Sequence, residues 1–204
     1  MEQVTQKRKF VLSDYVREIT KGIMEPLAVF FNRLGIMPNT ITILGLIGNV
    51  VGSYFLARGN LTIGGIIILA MGPVDSLDGT MARLRGEPSR FGAFVDSVTD
   101  RYSELLIFGG LIWHFLQKGD WIMIAVTYLA AAGSVLVSYV RARGQSVGYD
   151  TKAGLLSRFE RYLVLVPSLI LNIPWLGLGI IAVFANITAL QRILDVRRQA
   201  NKQQ

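Results

Sequence analysis

The sequence predicts an all-α integral membrane fold, in which six transmembrane helices follow an N-terminal amphipathic helix at the membrane interface. Hydrophobic residues make up 51% of the 204 residues and charged residues only 17%. That balance is too apolar for an ordinary soluble domain of this size. The apolar residues fall in long runs, and the charges cluster between these runs. The net charge of +7 therefore favours anionic lipids and phosphate groups as partners, and we expect no nucleic acid.

The N-terminal segment, residues 1–37, is predicted to contain the interfacial helix. Over residues 11–34 apolar side chains recur at helical spacing, and charged residues occupy the other faces. An amphipathic helix of this kind lies on a membrane surface more readily than it crosses the bilayer. A soluble helix packed against the bundle is the alternative.

Six apolar segments follow and form the predicted transmembrane catalytic domain, residues 38–196. The segments run over about 38–57, 62–83, 91–116, 121–140, 157–171 and 175–194. Residues 197–204 are expected to form a polar cytoplasmic tail.

The distribution of basic residues predicts the orientation of the bundle. An even number of crossings puts both termini on one side of the membrane. Every Lys and Arg except Arg58 and Lys118 falls on that side. By the positive-inside rule, both termini and the acidic hairpin described next face the cytoplasm. We therefore expect a multi-pass protein of the plasma membrane.

Four aspartates, Asp75, Asp78, Asp96 and Asp100, lie where the second predicted span meets the third. The second span has an uninterrupted apolar run of only 14 residues, 61–74, whereas a full crossing takes about 20. The helix must therefore continue with its aspartates inside, or at the edge of, the bilayer. The short connection predicts that the two spans are antiparallel neighbours, with the four acids at two matched levels.

The spacing of the aspartates points to a metal site. Separations of three and four residues keep each pair on one face of its helix. Four bare carboxylates would repel strongly in a low dielectric, and divalent cations relieve that repulsion. Hard oxygen ligands suit Mg²⁺ or Mn²⁺, which leave room for phosphate oxygens. A divalent-cation transporter, an intramembrane prenyltransferase and a salt-bridge network with nearby arginines are the alternatives.

The residues around the acids carry a resemblance to a known family. They form the pattern D-x-x-D-G-x-x-A-R-x8-G-x3-D-x3-D, which is the signature of the CDP-alcohol phosphatidyltransferases. The chain matches it at every fixed position: Asp75, Asp78, Gly79, Ala82, Arg83, Gly92, Asp96 and Asp100.

This resemblance implies a transferase of phospholipid biosynthesis. It would move a phosphatidyl-type group from CDP-diacylglycerol, or a related CDP-lipid, to an alcohol and release CMP. The four aspartates would hold two divalent ions, Mg²⁺ or Mn²⁺, and Asp100 would also act as the general base. The residues expected to contact the nucleotide are Asn39, Thr42, Gly79, Ala82, Arg83 and Gly92; a role as ordinary helix-cap residues is the alternative for Asn39 and Thr42. The resemblance further implies a homodimer.

A second set of polar residues lies at the cytoplasmic ends of the last three predicted spans. Its members are Ser138, Arg141, Arg143, Arg158, Arg161 and Arg192. Converging guanidinium groups suit a phosphate dianion, although membrane anchoring is the alternative for any one of them.

The run from Ser138 to Arg161 resembles the phosphatidylinositol phosphate synthases within this family, whose acceptor is inositol phosphate. That resemblance implies that Ser138, Arg141, Arg158 and Arg192 bind the acceptor phosphate. Glycerol phosphate, the acceptor of phosphatidylglycerophosphate synthases, is the alternative acceptor.

Overall fold

The structure is a computed structural model that describes residues 12–86, 89–151 and 153–202, with the side chains of the first helix from Met24 onward. In these residues the regular elements are seven α-helices, without a strand, so the all-α prediction is confirmed. The helices are α1 Leu12–Arg33, α2 Pro38–Ala57, α3 Leu61–Leu84, α4 Arg90–Gln117, α5 Trp121–Ser146, α6 Arg158–Ile170 and α7 Pro174–Asn201. Residues 1–11 of the predicted N-terminal segment and 203–204 of the predicted tail lie outside the described residues.

Four of these helices, α2, α3, α5 and α7, are long and apolar enough to cross a membrane. They correspond to the first, second, fourth and sixth predicted spans. Helix α4 has 28 residues, but its first half carries several charged side chains. Helix α6 has 13 residues, which is about 20 Å of helix against a hydrocarbon core of about 30 Å. Crossing by α4 and α6 therefore remains a prediction.

Two helices run further than their apolar patterns predict. Helix α5 continues to Ser146. It ends there because Gly148, with a φ of 90°, adopts the left-handed conformation that commonly terminates a helix. The Tyr149 N–H there donates to the Gly144 carbonyl at 2.9 Å. Helix α7 continues to Asn201, so most of the predicted tail is helical. Good helix formers extend a helix beyond the point where its apolar surface ends.

Helix α2 is the central packing partner of the aspartate helices. It packs closely against both α3 and α4, whereas α3 and α4 make few direct contacts with each other. The second and third spans, which are predicted to be antiparallel neighbours, are thus separated by a gap, and α2 packs against both of them. Small residues allow the close approach of α2: a Cβ added to Gly64 would lie 2.9 Å from the Gly52 carbonyl, and one added to Gly110 would lie 2.5 Å from that of Ser53.

The loop between α5 and α6 is fixed by buried polar groups of α7. The Thr188 hydroxyl accepts the backbone N–H groups of Leu155 at 3.2 Å and Leu156 at 3.0 Å. Arg192, which is 5% exposed, donates to the carbonyls of Ala153 at 3.0 Å and Val137 at 2.6 Å. These bonds hold the chain that leads into α6, so α7 sets where α6 begins.

The second half of α1 is attached to the end of α3. Ala28 is fully buried in an apolar cluster that includes Met81 of α3. Arg85 donates to the Asn32 side chain and to the Ile36 carbonyl, each at 2.7 Å, and Asn32 donates back to the Met81 carbonyl at 3.2 Å. This reciprocal set of bonds ties α1 to the helix that carries Asp75 and Asp78.

Replacement of Arg85 by Gln is expected to release α1 from α3. Hydrogen bonds from a charged donor contribute about 1.5–3 kcal/mol each, and losing about 1.4 kcal/mol changes a local opening equilibrium about tenfold. Limited proteolysis in detergent should therefore cleave the α1–α2 connection at least about tenfold faster in Arg85→Gln. Arg90→Gln removes an exposed arginine from the start of α4 and is the control. Equal cleavage rates for the two variants would contradict the attachment.

Candidate functional site

The four predicted aspartates meet in a gap between α3 and α4 that α2 closes on one side. The charge of Asp96 acts on each of the other three acids. Asp78 and Asp100 are buried, and Asp75 and Asp96 are half-buried. Helix α2 packs against both α3 and α4, which make few direct contacts with each other. The gap between them is therefore a polar site within an apolar bundle.

Helix α2 contributes groups that contact these acids. The Thr42 hydroxyl donates to Asp78 Oδ2 at 2.5 Å. A Cβ added to Gly45 would lie 2.9 Å from Asp75 Oδ1, so glycine is needed for α2 to approach that carboxylate. Asn39 lies near the start of α4, where its Oδ1 is 3.9 Å from the position of a Cβ on Gly92. The amino-terminal half of α2 thus forms a wall of the site.

Arg158, at the first position of α6, bridges two of the acids. One guanidinium nitrogen, Nη2, donates to Asp75 Oδ2 at 2.9 Å, and the other, Nη1, donates to Asp100 Oδ2. The Arg158 side chain is 45% exposed, against 19% for Asp75 and 11% for Asp100. A residue predicted to bind the acceptor phosphate therefore lies on the aspartates and remains accessible from outside.

The aspartates fit a divalent cation by their chemistry. In the described residues, no three carboxylate or imidazole groups are arranged as a ready metal cluster. Two of the acids, Asp75 and Asp100, nevertheless already share a cation, the Arg158 guanidinium. All four supply the hard oxygen donors that Mg²⁺ and Mn²⁺ prefer. The four aspartates can therefore bind such an ion if the Arg158 guanidinium moves away from Asp75 and Asp100.

The predicted nucleotide residues lie beside the acids on the partly exposed ends of α3 and α4. Gly79 follows Asp78, and its N–H donates to Asp78 Oδ1 at 2.5 Å. A Cβ on Gly79 would lie 3.3 Å from Arg83 Nη1, and Arg83 itself is exposed. Gly92 lies in the first turn of α4, where its N–H donates to Ser89 Oγ at 2.8 Å. Ala82 is half-buried on the last turn of α3.

A second ion pair lies one turn deeper than the first. Arg161 is 2% exposed, and its guanidinium donates to both oxygens of Glu104, at 2.9 and 3.2 Å. Glu104 follows Asp100 by four residues on α4, and Arg161 follows Arg158 by three residues on α6. The two pairs form a two-step ladder between α4 and α6, helices that otherwise make few direct contacts.

A cavity of about 60 Å³ lies within this ladder. Charged groups of Asp75, Asp100, Glu104, Arg158 and Arg161 line it. A volume of this size can hold a few water molecules. Apolar side chains such as Ile68 and Phe108 complete its wall. The ladder therefore crosses a small chamber, and the charged side chains on its two sides hold α4 and α6 in register.

The predicted acceptor residues are only partly brought together. Arg192 lies close enough to Arg141 and Arg161 for their charges to act on it. Its hydrogen bonds, however, go to backbone carbonyls, and those of Arg161 go to Glu104 and the Leu156 carbonyl. Ser138 and Arg141 are half-buried on α5. Of the predicted arginines, Arg158 is the one that reaches the aspartates.

Two residues of the site were missed by the sequence analysis. Glu104 could have been found, because it continues the four-residue spacing of Asp96 and Asp100 on the same helix face. Tyr162 gave no such signal. Its hydroxyl lies 3.0 and 2.9 Å from the Ile68 and Leu69 carbonyls and fixes α6 against α3.

Comparison with known proteins identifies the family of the chain. Residues 35–192 match the sequence model described as CDP-alcohol phosphatidyltransferase. The phosphatidylinositol phosphate synthase of Streptomyces avermitilis is 35% identical over 208 residues, which cover 94% of this chain and 85% of that protein. The archaetidylinositol phosphate synthase of Pyrococcus horikoshii is 33% identical over 185 residues, covering 90% of this chain and 96% of that protein.

Solved structures show the same fold. The crystal structure of Mycobacterium tuberculosis phosphatidylinositol phosphate synthase with CDP-DAG bound aligns with a TM-score of 0.80 at 31% identity, covering 85% of this chain and 93% of that one. The structure of the same enzyme in complex with manganese and citrate also gives a TM-score of 0.80, at 30% identity, covering 85% and 88% of the two chains. The chain belongs to the CDP-alcohol phosphatidyltransferase family and is a transferase, so the resemblance is confirmed.

Replacement of Glu104 by Gln is expected to destabilise the bundle strongly. It would leave the buried Arg161 guanidinium without its counter-charge, a change that typically costs about 3–5 kcal/mol. The measurement is the unfolding transition of the purified protein in detergent. The double variant Glu104→Gln/Arg161→Gln removes both charges and should recover much of the lost stability. A single variant no less stable than the double variant would contradict the pairing.

Proposed function

We propose that this member of the CDP-alcohol phosphatidyltransferase family transfers a phosphatidyl-type group from a CDP-activated lipid to inositol phosphate and releases CMP. The observation that carries the proposal is the meeting of four aspartates with an accessible arginine, Arg158, at one site. The substrate classes are supported by relatives named phosphatidylinositol and archaetidylinositol phosphate synthases and by a neighbour with CDP-DAG bound.

We place all of α2 to α7 in the membrane, with the site and both termini on the cytoplasmic side. Helices α4 and α6 pack among the four apolar helices, α4 on α2 and α5, and α6 on α3 and α7. Their charged side chains pair with each other in the interior of the bundle, where ionisable groups in a membrane protein are tolerated. Phe30 of α1, and Leu34 and Met37 in the connection that follows it, are more than half exposed, which suits contact of this segment with the interface.

The donor is proposed to bind against the exposed ends of α3 and α4. Gly79 and Gly92 leave the helix backbones open to a close ligand, and Arg83 supplies an exposed positive charge for the diphosphate. Asn39 lies near Gly92 and is proposed to contact the same ligand. Thr42 is proposed to act indirectly, because its hydroxyl orients Asp78.

Asp75, Asp78, Asp96 and Asp100 are the residues that would hold two divalent ions, Mg²⁺ or Mn²⁺. When bound, such ions neutralise the diphosphate charge and favour departure of the nucleotide. Manganese in the Mycobacterium tuberculosis enzyme supports this assignment.

Asp100 is proposed as the general base that takes the proton of the attacking hydroxyl. Arg158 lies against Asp100, so a phosphate held by this arginine brings the rest of the acceptor next to the carboxylate. Holding the reactants in this way lowers the entropic part of the barrier. Arg192, fixed by two backbone carbonyls, and Arg141 would contribute positive charge behind the phosphate, with Ser138 one turn from Arg141 on α5.

The acceptor is tested directly by CMP release from CDP-diacylglycerol. Purified protein with Mg²⁺ would be offered inositol phosphate, glycerol phosphate and free inositol in separate reactions. We expect release with inositol phosphate, because the arginines require a phosphate on the acceptor. Release only with glycerol phosphate would identify a phosphatidylglycerophosphate synthase, and release only with free inositol would remove the arginines from acceptor binding.

The role of Asp100 is tested by Asp100→Asn. The amide cannot accept the hydroxyl proton, so we expect turnover to fall by about 10²–10⁴-fold while CDP-lipid binding is largely retained. Asp150→Asn changes an exposed aspartate of the α5–α6 loop and serves as the control. Near-normal turnover in Asp100→Asn would exclude this residue as the base.

A further inference from the structure

We propose that Arg158 competes with a divalent cation for the carboxylates of Asp75 and Asp100, and that cation binding releases Arg158 for the acceptor phosphate. This inference rests on the proposed function, because it assigns an order of events to the same site. It gives Arg158 two alternative anionic partners within the protein's working cycle.

The competition follows from the oxygens that Arg158 occupies. Its two guanidinium nitrogens bond to Oδ2 of Asp75 and Oδ2 of Asp100, which belong to two different helices. A divalent ion ligated by the same pair would place two cations within a few ångströms of each other in a low dielectric, where like charges repel strongly. Each cation therefore weakens the binding of the other to this pair of carboxylates.

The neighbouring contacts allow the Arg158 side chain to move while α6 stays in place. Arg158 is 45% exposed along its side chain. One turn deeper, Arg161 is buried and bonded to both oxygens of Glu104, and the Tyr162 hydroxyl holds α6 to α3. The buried Arg161–Glu104 pair is thus the fixed one. Arg158, in the outer pair, can exchange partners by rotation of its side chain alone.

Exchange makes the two binding events cooperative. A cation that binds the carboxylates of Asp75 and Asp100 displaces the Arg158 guanidinium. A phosphate suits the planar, bidentate donors of the displaced guanidinium well. By reciprocity, bound acceptor phosphate must tighten cation binding by the same factor. The enzyme would then hold the acceptor firmly only when the cation is in place.

The test measures Mn²⁺ binding without turnover, from the electron paramagnetic resonance signal of free Mn²⁺ titrated with detergent-solubilised protein. Arg158→Gln removes the competing cation and should bind Mn²⁺ about tenfold more tightly, equivalent to about 1.4 kcal/mol. Arg158→Lys keeps the charge, but a single ammonium group cannot bridge two carboxylates as the guanidinium does. Its Mn²⁺ affinity should therefore lie between those of the unaltered protein and Arg158→Gln.

The matched control is Arg101→Gln. Arg101 approaches Asp100 only to 3.8 Å and donates instead to the Ser97 carbonyl. Its removal reports the general effect of losing a nearby positive charge, and we expect a change below about threefold. In a second titration, inositol phosphate should tighten Mn²⁺ binding to the unaltered protein and lose this effect in Arg158→Gln.

The outcomes separate this inference from the proposed function. Equal Mn²⁺ affinity in the unaltered protein and Arg158→Gln, or equal gains in Arg158→Gln and Arg101→Gln, would overturn the competition and leave the transferase proposal intact. Asp96→Asn locates the ion, because it removes a carboxylate that Arg158 does not contact, and it should weaken binding. Absence of saturable Mn²⁺ binding in every variant would overturn the proposed metal site itself.

Discussion

The structure depends on the need to neutralise carboxylates inside an apolar bundle. Asp75, Asp78, Asp96 and Asp100 lie in helices whose outer surfaces are apolar, and they act on one another through their charges. A low dielectric makes that repulsion expensive unless a cation lies among them. Arg158 supplies this charge in the structure. The placement of α6, and of the loop that leads into it, can be understood as the means of bringing that arginine to the acids.

Different helices of the bundle contribute different groups around the acids. Helix α2 approaches the acids with small and hydroxyl side chains, so it can close one wall without adding charge. Helix α6 carries both arginines of the ladder, and α7 fixes the start of α6 through Thr188 and Arg192. One pair of the ladder is buried and bidentate, and the other is accessible. On adjacent turns of the same two helices, the Arg161–Glu104 pair is thus fixed, and Arg158 is the residue proposed to change partners.

The sequence predicts the helices well because their apolar runs are long and their breaks are marked by glycine or proline. It also predicts the acidic site, because the aspartates recur at spacings that share a helix face. It does not predict the gap between α3 and α4, which depends on the packing of α2 against both helices. Nor does it reveal that Arg158 contacts Asp75, since a pair so far apart in the chain leaves no periodic signal. Glu104 followed the visible spacing, but its importance comes from a partner on α6.

The long separation along the chain also has a consequence for biosynthesis. Arg158 lies 83 residues after Asp75 and 58 after Asp100, and Arg161 lies 57 after Glu104. A ribosome therefore completes the acidic hairpin well before it produces either arginine. Until α6 emerges, water or another cation must stabilise these acids, because a buried carboxylate without a counter-charge is costly. Arrival of α6 is then the step that brings the guanidinium groups to Asp75, Asp100 and Glu104.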